Sequence, residues 1–294
     1  MNGDPYISVI VPHYNDLTRL DQCLALLEAQ TMPRDRYEII VSDNCSPTGI
    51  EEVKRVVAGR AKVVEAQIAG AGPARNVGVE YASGEILAFT DCDCLPEPDW
   101  LTKGVEALSG SDFVGGRMTV SVNDPAYMTG AEAFERVFAF DNQHYVRNEH
   151  FSVTANLFCP RALFQKVGPF RTAVSEDKEW CLRARAVGFQ IGYAEGSTVG
   201  HPARTNWVQL KGKWKRMASE SYALMIQSSG GRLRWLVRTW TLPLSILPHG
   251  VRIMMSKELP DSGTRLRALG ILVRIRLWRF VEGHRLLLSS EKAL

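Results

Sequence analysis

The stretch Ile86-Leu87-Ala88-Phe89-Thr90-Asp91-Cys92-Asp93 joins a short apolar run to two carboxylates. The run Ile86–Thr90 has the length and composition of a buried strand, and the acids follow where that strand ends. In open α/β sheets, ligands bind beyond the carboxyl ends of the strands. Asp91 and Asp93 are therefore placed to face one hard cation, Mg²⁺ or Mn²⁺, with water and phosphate as further ligands.

The residues before this stretch alternate strand and helix patterns. Ile7–Val11, Tyr37–Val41 and Lys62–Glu65 are strand-like runs, and segments with apolar residues at helical spacing separate them. Helices between strands of this kind predict a parallel sheet with right-handed crossovers. The expected fold class is therefore α/β, with a Rossmann-like, mostly parallel central sheet flanked by helices.

Polar residues follow three of the predicted strands. They are Pro12–Asn15 after the first, Ser42–Ser46 after the second and Asp91–Asp93 after the fourth. A single Asp-x-Asp is weak evidence for a site, because most copies are solvated turns. Three polar strand ends at one sheet edge favour a ligand site over the alternative, in which the acids only cap the turn before Pro96.

Individual residues at this edge suggest how a nucleotide would be held. Asp43 is placed to accept hydrogen bonds from a base or a ribose. Tyr14 offers an aromatic face to a base, although a core aromatic near a turn is an equally good interpretation. The glycine-rich segment Gly70–Gly78 opens a helix and puts Arg75 one turn inside, to meet a phosphate or base. A plain loop-to-helix junction, with Arg75 on the solvated face, is the alternative.

The later part of the first 204 residues is less regular. Phe113–Val122 and Phe151–Phe158 are predicted strands, with a helix over Ala131–Phe140 between them. A further helix is predicted over Glu176–Val187, and acids in its first turn are commonly only favourable partners of the helix dipole. His201 follows that region; a lone histidine is usually structural, and a ligand for a manganese-like ion is the alternative.

The charge is divided unevenly along the chain. Residues 205–294 carry 16 Lys/Arg and 5 Asp/Glu, whereas residues 1–204 carry 19 and 27. We therefore expect a catalytic domain over 1–204 and a helical, basic extension over 205–294. Arg232–Arg238 and Ile271–Leu288 mix arginine with large apolar residues, as helices at a membrane interface do. An ordinary helical subdomain with solvated arginines is the alternative.

Features that the sequence lacks exclude several kinds of partner and cellular location. No segment has about 18 uninterrupted apolar residues, so a membrane-spanning helix is not expected. No recognised nucleic-acid-binding motif accompanies the basic charge, so no nucleic-acid partner is expected. The six cysteines fit neither a disulfide framework nor a four-ligand zinc site, and no secretory signal precedes them. Reduced cysteines predict a cytoplasmic location, and the basic extension favours the inner face of the cell membrane.

Five motifs, in order, resemble those of the inverting family 2 glycosyltransferases of the non-processive bacterial type, which share the GT-A fold. They are Ile7–Asn15, Ile39–Ser46, Ala71–Gly78, Ile86–Asp93 and Glu176–Gly188. The similarity covers roughly Tyr6 to His201. It implies a nucleoside-diphosphate sugar as donor, with UDP as the expected carrier. The residues that it assigns to that donor are Pro12, Tyr14, Asn15, Asp43, Arg75, Asp91, Cys92 and Asp93.

The resemblance also implies the chemistry. Asp177 matches the catalytic base of the family's Glu-Asp pair, which replaces the dipole interpretation, and a single displacement then inverts the anomeric carbon. Asp93 is the expected metal ligand, His201 matches a late histidine ligand, and Asp91 is a further candidate ligand. The acceptor is expected to be a hydroxyl of a glycan or lipid-linked glycan in polysaccharide biosynthesis. Its candidate contacts are His150, Asn156 and Glu176.

The sequence departs from the processive branch of the family, because it has no Gln-x-x-Arg-Trp motif. A single addition is therefore expected rather than polymerisation. Two other classes remain open at this point: a metal-dependent nucleotidyltransferase, which also uses paired acids, and a non-catalytic nucleotide-sugar or membrane-binding module. Release of pyrophosphate rather than a nucleoside diphosphate would identify the first of these.

Overall fold

The computed structural model describes residues 6–122, 124–172 and 175–289. These residues form two compact units. The first comprises the described residues of Met1–Thr119, Asp141–Thr172 and Glu176–His201, and the second those of Val120–Phe140, Ala173–Ser175 and Pro202–Leu294. The division of the chain into domains after Arg204 stays a prediction.

An eight-stranded sheet runs through the part of the chain that the structure describes. Its order is β3-β2-β1-β4-β7-β6-β8-β5. The strands β1 to β4 are parallel neighbours, as predicted, whereas β7 runs antiparallel to both β4 and β6. The strands are β1 Ile7–His13, β2 Tyr37–Asp43, β3 Lys62–Glu65, β4 Ile86–Phe89, β5 Leu95–Pro96, β6 Phe113–Ser121, β7 Leu157–Pro160 and β8 Ile191–Pro202.

The strands β1, β2 and β4 of the parallel half are buried on both faces, whereas β3 at the edge of the sheet is partly exposed. Val9 and Val11 of β1 lie in one apolar core, and Ile10 between them lies in the other. All three are 0% exposed. Burial on both faces explains why β1 is an uninterrupted apolar run rather than an alternating one. The helices of the first unit that flank this sheet and its loops are α1 Leu17–Glu28, α2 Ile50–Val57, α3 Ala71–Glu80, α4 Trp100–Ala107, α6 Asn142–His144, α7 Arg161–Val167 and α8 Glu176–Ala186.

The predicted strand over Phe151–Phe158 is largely wrong. A 3-10 turn occupies Thr154–Asn156, and β7 begins only at Leu157. The hydroxyl of Ser152 donates to the Asn156 carbonyl at 3.2 Å, and the Asn156 amide N–H donates to the Val153 carbonyl at the same distance. These local bonds take backbone groups that a strand would give to its neighbour.

The second unit is helical. Its helices are α5 Gly130–Phe138, α9 Trp207–Ile226, α10 Gly231–Leu244, α11 Ile246–Met255 and α12 Ser262–Ser289. An apolar core joins residues of α5, α9, α11 and α12. Among the described residues, no helix combines the length and apolar character needed to span a bilayer.

A buried ion-pair network helps to hold the second unit together. Glu135 of α5 is 2% exposed and pairs with Arg204 at 3.1 Å and Lys213 at 2.7 Å. Burial alone would raise the pKa of Glu135, but the charges of Lys213 and Arg204 outweigh it and lower that pKa below its usual value. The network stabilises the unit only while Glu135 is ionised.

Candidate active site

The acidic turn follows directly from the end of β4. The Thr90 N–H donates to the Ile10 carbonyl, and the Cys94 N–H donates to the Asp91 carbonyl at 3.0 Å, which closes the turn. Asp91, Asp93 and Cys94 each offer a ligand atom, and these three atoms lie within 4.8 Å of one another. The turn therefore brings two carboxylates together at the carboxyl edge of the parallel strands.

β8 brings His201 to the same turn. Leu95 of β5 is paired with Gly200 in antiparallel register, so the next residue of β8 lies over the acidic turn. The Nε2 atom of His201 is 3.4 Å from Oδ2 of Asp93. Two oxygens and an imidazole nitrogen form a donor set that suits Mn²⁺ or Mg²⁺.

The cysteines of the turn do not add a thiolate to this donor set. Cys94 is fully buried, and burial, with the charges of Asp91 and Asp93, raises its pKa well above the usual value. Burial and the same two carboxylates raise the pKa of Cys92 in the same direction. Both thiols are therefore held in the protonated form in the metal-free protein, and the two carboxylates are the hard donors of this turn.

Arg75 joins two parts of the site that are distant in sequence. Its Nη2 donates to Oδ1 of Asp91 at 2.5 Å, and its Nη1 donates to Oε1 of Glu176 at 3.0 Å. Arg75 is 3% exposed, so this guanidinium is fixed by the two carboxylates. Burial would lower its pKa, but Asp91 and Glu176 outweigh burial and raise it. The sequence placed Arg75 against a phosphate or base; the structure shows it bridging acids.

The N-terminus of α8 therefore lies beside the acidic turn. Asp177 follows Glu176, and its Oδ1 accepts a hydrogen bond from the Lys178 N–H at 2.7 Å. The ammonium group of Lys178 donates to Glu149 at 2.7 Å. The dipole at a helix N-terminus interacts favourably with negatively charged groups placed there.

The ends of β1 and β2 are joined by a buried network around Asp43. His13 Nε2 accepts from the Asp16 N–H at 3.1 Å, so Nδ1 carries the proton and donates to Oδ1 of Asp43 at 2.8 Å. The Ser46 hydroxyl and amide donate to Oδ1 and Oδ2 of Asp43 at 2.5 and 3.0 Å. A carboxylate has about four accepting positions, so one remains, on Oδ2.

Tyr14 and Asn15 lie at the surface beside this network. Tyr14 is 59% exposed, which fits an open aromatic platform and not a core residue. Asn15 takes a positive φ of 50° and donates its N–H to the Ser46 hydroxyl at 2.8 Å. Pro12 is the last residue but one of β1 and is paired in register with Ser42.

Of the three acceptor candidates, the structure gives Asn156 a purely structural position. It is 0% exposed, and its amide accepts from Trp100 and donates to the carbonyls of Arg117 and Ser197. All three bonds are 2.9 to 3.0 Å long, so both N–H groups and the oxygen of the side chain have partners within the protein. Glu176 is committed to Arg75, and His150 takes a positive φ of 59° at the end of a helical turn.

Several residues of the site were not assigned a role from the sequence. His13 and Ser46 orient Asp43, and the pair formed by Lys178 and Glu149 fixes the first turn of α8. His13 and Ser46 lie inside the quoted strand-end motifs, so the motifs indicated their place but not their partners. Nothing in the sequence predicted the ion pair between Glu149 and Lys178.

The sequence profile described as Glycosyl transferase family 2 matches residues 8–168. The chain belongs to this family. The glycosyltransferase is 30% identical to glycosyltransferase AglE of Haloferax volcanii over 286 residues, which cover 93% of this chain and 92% of AglE. It is 40% identical to putative glycosyltransferase EpsH of Bacillus subtilis over 100 residues, 33% of this chain and 28% of EpsH.

A solved structure also resembles this glycosyltransferase. It is mannosyltransferase PcManGT from Pyrobaculum calidifontis in complex with GDP-Man and Mn²⁺, with a TM-score of 0.60 and 19% identity. The alignment covers 98% of this chain and 88% of the mannosyltransferase. This likeness, with the family match, confirms the GT-A fold and the glycosyltransferase class that the motifs predicted.

Proposed function

We propose that this enzyme moves one sugar from a nucleoside-diphosphate sugar to an acceptor hydroxyl, with inversion and with a divalent metal. The bridge from Asp91 through Arg75 to Glu176 carries the proposal. It joins a turn suited to a metal and diphosphate to a helix whose second residue, Asp177, is suited to accept a proton.

The donor half of the proposal rests on β1, β2 and the acidic turn. The exposed ring of Tyr14 offers a stacking surface for a base, and the remaining lone pair of Asp43 Oδ2 can accept from a base N–H. Asp91, which Arg75 holds at the same edge, is the proposed contact for the ribose or the pyrophosphate. UDP is the proposed carrier; the mannosyltransferase structure contains GDP-Man, so the base needs a direct test.

The metal half of the proposal rests on Asp93 and His201, with Asp91 as a further ligand. Asp91 already accepts from Arg75, which leaves Asp93 as the carboxylate with more freedom to bind a cation. When bound, Mn²⁺ or Mg²⁺ would neutralise the negative charge of the departing diphosphate. The Mn²⁺ in the mannosyltransferase structure supports this choice of ion.

Asp177 is the proposed general base. As the acceptor oxygen bonds to the anomeric carbon, its proton passes to Asp177, and the bond from that carbon to the diphosphate breaks. A single displacement of this kind inverts the anomeric centre. The Lys178 N–H donates to Oδ1 of Asp177 at 2.7 Å and holds this carboxylate at the N-terminus of α8, where it is proposed to receive the proton. The acceptor is a glycan or lipid-linked glycan hydroxyl, with His150 as its proposed contact.

A nucleotide-sugar screen tests this function. With UDP- and GDP-sugars and Mn²⁺, we expect slow donor hydrolysis that releases the nucleoside diphosphate and stops when EDTA is added. Chromatography of the nucleotide products measures it. Asp21→Asn, which removes an exposed carboxylate of α1, is the matched control and should hydrolyse donor normally. Release of pyrophosphate would instead favour a nucleotidyltransferase. Metal-dependent binding of the nucleotide sugar without turnover would favour a non-catalytic binding module.

Arg75→Lys should lower both stability and turnover. Lysine is a point charge that cannot hold two carboxylates in the geometry of a guanidinium fork, so Asp91 or Glu176 loses its partner. We expect a loss of about 3 kcal/mol in the free energy of unfolding and a fall of about 100-fold in kcat. Urea unfolding and initial rates measure the two effects. Arg55→Lys, at an exposed position of α2, should change neither. Wild-type kcat in Arg75→Lys would contradict the bridging role.

A further inference from the structure

The second unit exposes an apolar stripe along α10. Leu233, Val237, Trp240 and Leu244 recur at spacings of three and four residues and are 56% to 72% exposed. The opposite face of α10 carries Trp235 and is buried in the unit. A helix that is apolar on its exposed face as well as on its buried face is expected to bind a second apolar partner.

A cavity of about 530 Å³ lies against this stripe. Its lining comes from α10 and α12 and includes Trp240, Leu244 and Phe280. The rings of Trp240 and Phe280 are in edge-to-face contact with centroids 5.2 Å apart. The stripe therefore continues from α10 onto α12 as one apolar surface.

Three arginines lie close in sequence to the residues of this surface, on the same two helices. Arg238 follows Val237 on α10, Arg279 precedes Phe280 on α12, and Arg276 lies one helical turn before Phe280 on its face. Within the described residues, none of these three guanidinium groups pairs with a carboxylate. Arg279 lies over the Trp214 ring at 4.2 Å and Arg238 over Trp235 at 5.5 Å, while Nε of Arg276 is buried without an acceptor.

These guanidinium groups are crowded together without a counter-charge. Burial, and then the charges of Arg276 and Arg238, lower the pKa of Arg279 to about 9. By contrast, Arg285 on the same helix pairs with Glu282 at 2.6 Å. An anion placed among the three arginines would relieve their mutual repulsion.

We propose that α10 and α12 form a docking surface for an anionic lipid bilayer. In it, Arg238, Arg276 and Arg279 bind lipid phosphates while the α10 stripe enters the apolar region beneath the headgroups. A lipid is the occupant that supplies both chemistries side by side, because its phosphate meets the arginines and its chains meet Trp240 and Leu244. A free phosphate would leave the stripe in water. The proposal does not depend on the proposed transfer reaction.

Flotation of the full chain with vesicles tests the charged half of this surface. Wild-type protein should bind vesicles of phosphatidylglycerol and phosphatidylcholine and bind pure phosphatidylcholine far less. Since an arginine near an anionic surface contributes roughly fivefold to binding, Arg276→Gln/Arg279→Gln should weaken binding about 25-fold. Arg19→Gln/Arg55→Gln removes the same charge from exposed sites of the first unit and should bind like wild type. If both double variants lost vesicle binding equally, the loss would follow from net charge alone, and the proposal would be overturned.

The apolar half is tested by Leu244→Ser, with Val187→Ser as control. These side chains are 72% and 58% exposed, so both variants should fold, which circular dichroism checks. Leu244→Ser should lose about tenfold in vesicle binding, and Val187→Ser should lose none. Three further results would overturn the proposal: wild-type binding by Arg276→Gln/Arg279→Gln, wild-type binding by Leu244→Ser, or full displacement from vesicles by millimolar inorganic phosphate, which would indicate a free-anion site.

Discussion

Asp177→Asn should lower kcat by about 10³-fold while donor affinity stays close to that of the wild type. Asparagine keeps the shape of the side chain and can still accept from the Lys178 N–H, so the first turn of α8 is preserved. It cannot take the proton of an acceptor hydroxyl at neutral pH. Initial rates with an identified donor give kcat, and calorimetric titration of the nucleoside diphosphate gives the affinity.

Glu179→Gln on the same helix is the matched control. Glu179 forms ion pairs with Arg171 and Arg183. Neither arginine has a role in the proposed reaction. Its loss should alter stability slightly and leave kcat within a few-fold of wild type. An Asp177→Asn enzyme with undiminished kcat would remove Asp177 from the reaction, whereas loss of donor binding with kcat would indicate a misplaced helix.

Most of the parallel half of the sheet was predictable because three of its strands, β1, β2 and β4, are buried on both faces. Burial of that kind selects uninterrupted β-branched and apolar runs such as Ile7–Val11, which sequence inspection detects directly. Once the strands are parallel, their carboxyl ends must share an edge. The sequence alone therefore groups Asp43 with Asp91–Asp93.

The contacts that join the site were beyond the reach of sequence patterns. Arg75 and Glu176 are 101 residues apart, and nothing in the local pattern around either pairs them. The approach of His201 to Asp93 depends on the pairing of β5, a two-residue strand too short to show any periodicity. Contacts between residues distant in sequence depend on the topology of the fold, whereas the ends of the buried strands can be recognised from the local amino-acid composition.

The misassigned segment around Asn156 has a different cause. An apolar run next to Ser152 and Asn156 fits a strand and a 3-10 turn equally well, and the choice is made by side-chain hydrogen bonds to Asn142 and Trp100. Asn156 was therefore predicted to contact the acceptor, because it lies in the sequence region expected to bind it. In the structure its amide ties Trp100 to the backbone of the antiparallel half of the sheet.

Asp93→Asn should weaken Mn²⁺ binding in the presence of UDP by at least about 100-fold. Changes in the groups that merely support metal ligands cost about 10- to 100-fold, and loss of a direct carboxylate ligand should cost more. Asp91 cannot replace it fully, because one of its oxygens is held by Arg75 at 2.5 Å. Electron paramagnetic resonance of free Mn²⁺ during titration measures the affinity without requiring turnover.

Glu97→Gln, which removes an exposed acid just beyond the turn, should leave Mn²⁺ affinity unchanged. His201→Gln should give a smaller loss than Asp93→Asn, since an amide oxygen can still reach the ion but lacks the basicity of imidazole. If Asp93→Asn bound Mn²⁺ as tightly as wild type while remaining folded, the ion would be held by UDP alone. The acidic turn would then act on the donor through hydrogen bonds and charge, and the proposed metal set of Asp93 and His201 would be wrong.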